Sequence, residues 1–177
     1  MALLSLHPLP QDQQPQETSF LAALPDGPQG VRATINFMSL LTRRFKTDPA
    51  IVSLARQIVA LTPEKNPWAE ASAIQTWVRD NIRYVQDVEG VETVSTPIRT
   101  LQDRAGDCDD KALLAGALLQ AIGYKVRYKA INSSGEGFDH VYAEDHIGPR
   151  WVAVETTEPV ELGWEPESVF AFMIANA

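Results

Sequence analysis

The stretch Gly106-Asp107-Cys108-Asp109-Asp110-Lys111-Ala112-Leu113-Leu114 contains the only cysteine in this chain of 177 residues. Asp107 is a good helix cap, and the apolar residues after it repeat at helical spacing as far as Gly123, where a helix would stop. Cys108 therefore lies in the first helical turn, where unpaired amide N–H groups and the positive end of the helix dipole favour a thiolate. The pattern predicts a helix that presents a nucleophilic cysteine at its start.

The same stretch has a second interpretation, in which Cys108 is a small packed residue without chemistry. Asp107, Asp109 and Asp110 place negative charge around the sulfur, which raises a thiol pKa and opposes activation. These carboxylates are also the hard oxygen ligands that Mg²⁺ and Ca²⁺ prefer. Consecutive aspartates at a helix start are more typical of capping, however, and the chain lacks the EF-hand pattern, so no metal site is predicted.

Downstream of Gly123 the apolar residues alternate with polar ones, which is the period of a β-strand. Three strands joined by turns are predicted, over residues 126–131, 138–145 and 151–156. Strands connected in this way pair as an antiparallel meander.

Upstream of Gly106 the spacing of apolar residues is mainly helical. A first helix is predicted after Gly30, and Asp48-Pro49 and Asn66-Pro67 are start signals for two more. Residues 85–101 are predicted to form a long, partly ordered loop, and residues 170–177 a short helix. Helices followed by an antiparallel meander indicate an α+β domain.

One face of the second predicted strand carries His140, Tyr142 and Glu144. Because the next strand is its antiparallel neighbour, a registered pair places Glu155 beside His140. A carboxylate that holds one imidazole nitrogen leaves the other to take a thiol proton, as in a catalytic triad. Taken alone, His140 is more typical of a half-buried polar side chain. His146, six residues later, is predicted to lie in a solvated turn.

Three motifs in this order resemble the transglutaminase-like superfamily, whose fold is related to that of papain. Residues 106–123 are similar to its nucleophile helix, and HVYAE at 140–144 and WVAVETT at 151–157 resemble its histidine and acidic strands. WVRDNIRY at 77–84 resembles the helix that precedes the nucleophile in bacterial members. The resemblance covers residues 50–160 and is closest to small proteins of tailed phages and prophages.

The resemblance implies an α+β fold in which the nucleophile helix packs on an antiparallel sheet. It implies Cys108 as nucleophile, His140 as base and Glu155 as the group that orients the imidazole, although the family has aspartate at this last position. Family members use a polar or aromatic donor upstream of the cysteine to bind the oxyanion, so Tyr84 and Gln86 are the candidates here. Simple packing in a strand or loop explains these two residues equally well.

Composition restricts the partners of the protein. The chain has 15 basic and 23 acidic residues, a net charge of −8, so neither nucleic acid nor an anionic membrane is an expected partner. No apolar run reaches the ~18 residues of a membrane span, and the N-terminus lacks the pattern of a signal peptide. A single cysteine favours a reducing compartment, so the predicted location is the host cytoplasm or a virion.

Residues 1–30 are predicted to form a proline-rich extended arm in front of a domain over residues 31–177. The arm holds five of the twelve prolines and neither lysine nor arginine. Such a polar, proline-rich segment has little to bury and often becomes ordered on a partner, here a phage structural protein.

Together these observations predict a thiol-dependent amide hydrolase or acyl transferase that acts on a protein or peptide without a cofactor. It would be a cysteine peptidase, an isopeptidase or a crosslinking enzyme, depending on whether water or an amine resolves the thioester. The alternative is a structural or assembly protein of a phage particle that keeps this fold with little or no catalysis. The extended arm favours that alternative.

Overall fold

The computed structural model describes residues 19–21, 27–86 and 93–177. Its helices are α1 (Pro28–Phe45), α2 (Pro49–Val59), α3 (Pro67–Asn81), α4 (Pro97–Asp103) and α5 (Cys108–Ala121). Its strands are β1 (Ser19–Leu21), β2 (Arg83–Tyr84), β3 (Thr93–Ser95), β4 (Ala105–Gly106), β5 (Val126–Asn132), β6 (His140–Ile147), β7 (Arg150–Val154) and β8 (Ala171–Asn176).

Local capping signals set the starts of three helices. The carboxylate of Asp48 accepts from the Ala50 amide at 2.9 Å, and the Asn66 side chain accepts from the Ala69 amide at 3.1 Å. Each of these caps precedes a proline in the first turn, which suits an N-terminus because proline has no amide to leave unpaired. The side chain of Asp107 caps α5 by accepting from the Asp110 amide, without a proline in the first turn. The predicted starts of α2, α3 and α5 are thus confirmed.

An antiparallel sheet of four strands in the order β7-β6-β5-β8 forms one layer of the domain. The three predicted strands are present as the meander β5-β6-β7. In this meander Ile131 lies opposite His140, and Ala143 lies opposite Val154. Helices α1 and α5 pack against this sheet, so the predicted α+β class is confirmed.

Helix α5 is the centre of the core. Every residue from Asp109 to Leu119 is buried, and the helix contacts α1, α2, α3 and β6. Its close packing depends on Gly116, because a Cβ there would lie 2.2 Å from the hydroxyl oxygen of Tyr128. That hydroxyl is fully buried and shares a hydrogen bond with Thr42, so it has no room to move aside.

Two sequence-based predictions about irregular segments are wrong. Residues 171–176 form strand β8 along β5, not a short helix, because pairing with a free sheet edge outweighs the weak local preference of an apolar hexapeptide. The predicted loop at residues 85–101 contains β3 and α4, and the side chain of Thr96 caps α4 by accepting from the Arg99 amide.

Part of the predicted N-terminal arm has regular structure. Helix α1 begins at Pro28, three residues before the predicted domain boundary, and β1 pairs with β3 through Ser19 opposite Ser95. The rest of the arm lies outside the described residues. Across the described ranges, no helix is both long enough and apolar enough to cross a bilayer.

Candidate active site

Cys108 is the first residue of α5 and follows a short parallel pair of strands. In this pair Tyr84 of β2 lies opposite Gly106 of β4. Gly106 is needed there because a Cβ would lie 2.5 Å from the Cβ of Asp110 in the first turn of the helix. The close approach of β4 to α5 fixes where the cysteine emerges from the core.

The thiol of Cys108 is held in an unreactive state in this structure. Its Sγ donates to Oδ1 of Asp109 at 3.5 Å. Burial raises the pKa of the thiol well above its ordinary value, and the carboxylates of Asp109 and Asp107 raise it further. The backbone N–H of Val141 faces the sulfur and opposes this shift. The net effect is a protonated thiol at neutral pH.

His140 and Glu155 are in direct contact. Nε2 of His140 lies 2.6 Å from Oε2 of Glu155, where the strand register predicted the two side chains would meet. Glu155 follows the last residue of β7 and is only 1% exposed. Its other oxygen, Oε1, accepts from the backbone amides of Thr157 and Glu158. Both carboxylate oxygens are therefore used.

These contacts keep Glu155 ionised. Burial by itself raises the pKa of this carboxyl, but the hydrogen bond and charge of His140 and the two amide donors outweigh it. The net shift in the pKa of Glu155 is downward, which leaves a carboxylate that holds the imidazole of His140 through Nε2.

Cys108 and His140 lie near each other without a hydrogen bond between them. The amide that faces the sulfur belongs to Val141, the residue after His140. Because Glu155 occupies Nε2, Nδ1 is the ring nitrogen left for a thiol proton. The sulfur donates to Asp109 instead, so it must turn away from that carboxylate to reach the imidazole.

The two oxyanion candidates differ in their support. Tyr84 is 46% exposed and lies in register with Gly106, two residues before the cysteine. Gln86 is exposed and is the last residue described before position 93, and no hydrogen bond to the cysteine helix fixes its side chain. The strand register thus supports Tyr84, and the described contacts give no comparable support for Gln86.

His146 lies away from this constellation, at the far end of β6. It pairs with Trp151, and the two rings meet edge to face with their centroids 4.9 Å apart. This contact gives His146 a packing role next to the β6–β7 turn.

Two of the aspartates around Cys108 have structural partners. Asp107 accepts from the Asp110 amide at 3.1 Å, as a helix cap does. Asp110 accepts from the Ser95 amide at 2.7 Å and so ties β3 to the first turn of α5. Within the described part of the chain, no three histidine, cysteine or acidic side chains are grouped as metal ligands.

Lys111 is a buried cation that had no place in the sequence-based predictions. It is 2% exposed, and its Nζ donates to the carbonyl of Ile82 at 2.8 Å and to that of Arg79 at 3.5 Å. Burial lowers the pKa of the ammonium, and the nearby negative charge of Glu155 opposes this shift. The signal in the sequence was a single lysine directly before the apolar run at residues 112–119.

A comparison with protein families finds one match over more than half of the chain. Residues 52–156 match the family model described as the Transglutaminase-like superfamily. The matched range contains all three candidate triad residues. No individually curated protein is significantly similar to the chain.

Solved structures share the fold at low identity. A candidate cysteine protease from Cytophaga hutchinsonii has a TM-score of 0.52 at 19% identity, covering 76% of this chain and 52% of that one. A candidate protease from Parabacteroides distasonis has a TM-score of 0.55 at 12% identity, covering 81% of this chain and 31% of that one. EGTA-treated LapG from Legionella pneumophila has a TM-score of 0.52 at 15% identity, covering 80% and 76%.

These likenesses show the fold alone, because the identities are low. The chain spans about half the length of the first of these structures and about a third of the second. None of the three is described as a phage protein.

Proposed function

The chain belongs to the transglutaminase-like superfamily, and from this premise we propose that it is a cysteine-dependent amide hydrolase or acyl transferase acting on a protein or peptide. Cys108 is the nucleophile, His140 the general base and acid, and Glu155 the residue that orients the imidazole. The observation that carries the proposal is the hydrogen bond between His140 Nε2 and Glu155 Oε2, beside the start of the cysteine helix.

The arrangement of Glu155 supports this role over simple packing. A buried carboxylate that accepts from two backbone amides is fixed in place, and its remaining oxygen then fixes the imidazole. A glutamate reaches one methylene further than the family's aspartate. Because Glu155 lies just beyond the end of β7, that added length is taken up without loss of the contact.

In the proposed reaction the imidazole Nδ1 of His140 takes the proton of the Cys108 thiol, and the thiolate adds to a substrate carbonyl. The tetrahedral intermediate collapses with cleavage of the C–N bond, and the imidazolium returns the proton to the departing amine. Water, or a second amine, then gives a proton to Nδ1 and attacks the thioester. Cleavage of the C–S bond releases an acid or a new amide, and the thiolate takes the proton back.

The developing oxyanion has donors at the start of α5. The backbone N–H of Cys108 lies in the first helical turn, where amides have no intrahelical partner. Tyr84, on the strand next to β4, is the proposed side-chain donor.

Activation requires the sulfur to change partner. In the resting arrangement Asp109 accepts a hydrogen bond from the Cys108 thiol and keeps the pKa of the thiol high. We infer that substrate binding turns the sulfur toward His140, where the imidazolium stabilises a thiolate. The enzyme is then quiescent until a substrate occupies the site.

An acyl probe tests the proposal without a known substrate. Protein is mixed with p-nitrophenyl acetate, quenched in acid and analysed by intact mass and peptide mapping. The expected result is one acetyl group on Cys108, absent from Cys108→Ala and slow to form in His140→Ala. Added putrescine then distinguishes transfer from hydrolysis, since only a transferase releases acetylated amine. Acetylation confined to lysines, unchanged in Cys108→Ala, would contradict the proposal.

A structural or assembly role in a phage particle is the second candidate. The raised thiol pKa and the Cys108–Asp109 hydrogen bond favour it, because both oppose nucleophilic chemistry. The proline-rich composition of residues 1–30 also suits binding to a structural partner. On this candidate, Cys108 reacts no faster with the acyl probe than an ordinary buried thiol.

A further inference from the structure

Lys111 lies one helical turn after Cys108 on α5, and its side chain points away from solvent. A lysine that is 2% exposed is unusual, because an ammonium loses hydration when it is buried. Across residues 112–119 the same helix is apolar and fully packed. The buried ammonium therefore needs hydrogen-bond acceptors or negative charge that replace its lost hydration.

The hydrogen-bonding partner is the carboxyl end of α3, and the nearby negative charge of Glu155 also favours the ammonium. The ammonium donates to the carbonyls of Ile82 and Arg79, which belong to the last turn and the C-cap of that helix. Helix C-termini carry unpaired carbonyls and partial negative charge, so a cation there is stabilised twice, by hydrogen bonds and by the helix dipole.

Ile82 directly precedes strand β2, which links this contact to the site. The Arg83 amide donates to the Arg104 carbonyl at 2.9 Å, and the Val85 amide donates to the Gly106 carbonyl at 3.0 Å. Strand β4 then leads through Asp107 back into α5. Lys111 therefore closes a ring of contacts that runs from the cysteine helix to α3, along β2, across to β4 and back to the cysteine.

We propose that Lys111 is a positioning residue that fixes strand β2, and with it Tyr84, against the first turn of the cysteine helix. The inference rests on the proposed function, because its purpose is to hold the donors of the oxyanion in place. Without the ammonium, the Ile82 carbonyl loses its buried donor, and the segment that leads into β2 loses its contact with the cysteine helix. The position of the thiol itself depends on α5 and β6, and changes little.

Two reagents separate these effects, because only one of them needs an oxyanion. Acylation by p-nitrophenyl acetate passes through a tetrahedral oxyanion, whereas alkylation by iodoacetamide is a direct displacement by the thiolate. Both rates at Cys108 are measured in full-length wild type, Lys111→Met and Lys111→Gln. Lys129→Met is the matched control, since Lys129 lies on the sheet, where its ammonium pairs with Glu165.

The expected result is a loss of about tenfold or more in acylation for Lys111→Met, with alkylation at about pH 9.5 changed less than about twofold. Lys111→Gln keeps a donor for the Ile82 carbonyl and should fall between wild type and Lys111→Met. If Lys111→Met does not fold, as judged by circular dichroism, Lys111→Gln carries the test. Lys129→Met should leave the ratio of the two rates unchanged.

Equal losses in both reactions, or no loss in either, would overturn the proposal. Failure of the proposed function gives a different result, namely a wild-type Cys108 that is alkylated but never acylated. If wild type is acylated at Cys108 and Lys111→Met is acylated at the same rate, the role proposed for Lys111 is wrong and the proposed function stands.

Discussion

Nε2 of His140 lies 2.6 Å from Oε2 of Glu155, and the second oxygen of the same carboxylate is held by two backbone amides. In the proposed function, this glutamate takes the place of the aspartate that the sequence comparison with the superfamily led us to expect. The ring of His140 is fixed through a group that is itself fixed by the main chain after β7. This arrangement leads to the first prediction.

Replacement of Glu155 by glutamine should lower both stability and thiol reactivity. The amide retains an oxygen for one set of partners but loses the charge, so we expect a loss of about 1–3 kcal/mol in the free energy of unfolding at pH 7. Because the pKa of Glu155 is lowered in the folded state, its contribution is present above the ordinary glutamate pKa and is lost as pH falls through the folded value.

Urea unfolding of both proteins between about pH 7 and pH 3 checks this expectation. The stability difference should narrow as the solution becomes acidic. A difference that stays constant over this range would show that the charge of Glu155 contributes nothing to folding.

Replacement of Asp109 by asparagine should make Cys108 more reactive. The carboxylate of Asp109 accepts a hydrogen bond from the thiol. Burial is the largest cause of the raised thiol pKa, and the charge of Asp109 is the second largest. Its removal should increase iodoacetamide alkylation at about pH 8 several-fold. Asp107→Asn is the control, because asparagine keeps the helix cap while removing a charge with a smaller effect on the thiol. An equal or larger increase in the control would contradict the assignment to Asp109.

Asp145 should make the protein less stable as pH rises. The side chain is 0% exposed, and among the described residues neither carboxylate oxygen has a partner at ordinary hydrogen-bond geometry. Burial raises the pKa of Asp145 to about 7, the backbone amide of His146 opposes this shift in part, and the nearby carboxylate of Glu70 adds to it. The folded state thus holds a proton that the unfolded chain releases above its ordinary aspartate pKa.

The contribution of Asp145 to the free energy of unfolding should therefore fall by about 2–4 kcal/mol between about pH 4 and pH 7. Asp145→Asn should remove that slope and stabilise the protein near pH 8. Asp103→Asn, at an exposed residue paired with Arg99, should leave the slope in place. A slope that survives in Asp145→Asn would assign the effect to another group.

Gly116→Ala should be strongly destabilising for a change of one methyl group. The new Cβ would lie 2.2 Å from the Tyr128 hydroxyl, which is buried and bonded to Thr42. We expect a loss of about 1–3 kcal/mol in thermal or urea unfolding. Combination with Tyr128→Phe removes the clashing oxygen and should recover part of the loss. No recovery in the double variant would place the strain elsewhere.

The features that sequence alone predicted are those with local causes. Asp48, Asn66 and Asp107 cap their helices through neighbours two or three residues away, so their effect can be read from a short window. The meeting of His140 with Glu155 also follows from a short-range rule, since two strands joined by a tight turn have a restricted register.

The features that escaped prediction depend on distant partners. Strand β8 exists because β5 offers a free edge, and its six residues carry no strong signal of their own. The role of Ser95 depends on Asp110, and that of Lys111 on Ile82, a residue 29 positions away. The burial of the Cys108 thiol likewise depends on a distant segment, since the backbone N–H of Val141 in β6 faces the sulfur.

The most direct test of the central claim is the rate of Cys108 acylation by p-nitrophenyl acetate at about pH 7.5 in wild type, His140→Ala and His146→Ala. Because His140 takes the thiol proton once a substrate carbonyl occupies the site, wild type should be acylated at Cys108. His140→Ala should suppress that reaction about tenfold or more, and His146→Ala should leave it nearly unchanged. Equal acylation of Cys108 in all three proteins, or acylation in none of them, would contradict the account. Loss of the reaction in His146→Ala but not in His140→Ala would contradict the assignment of the base.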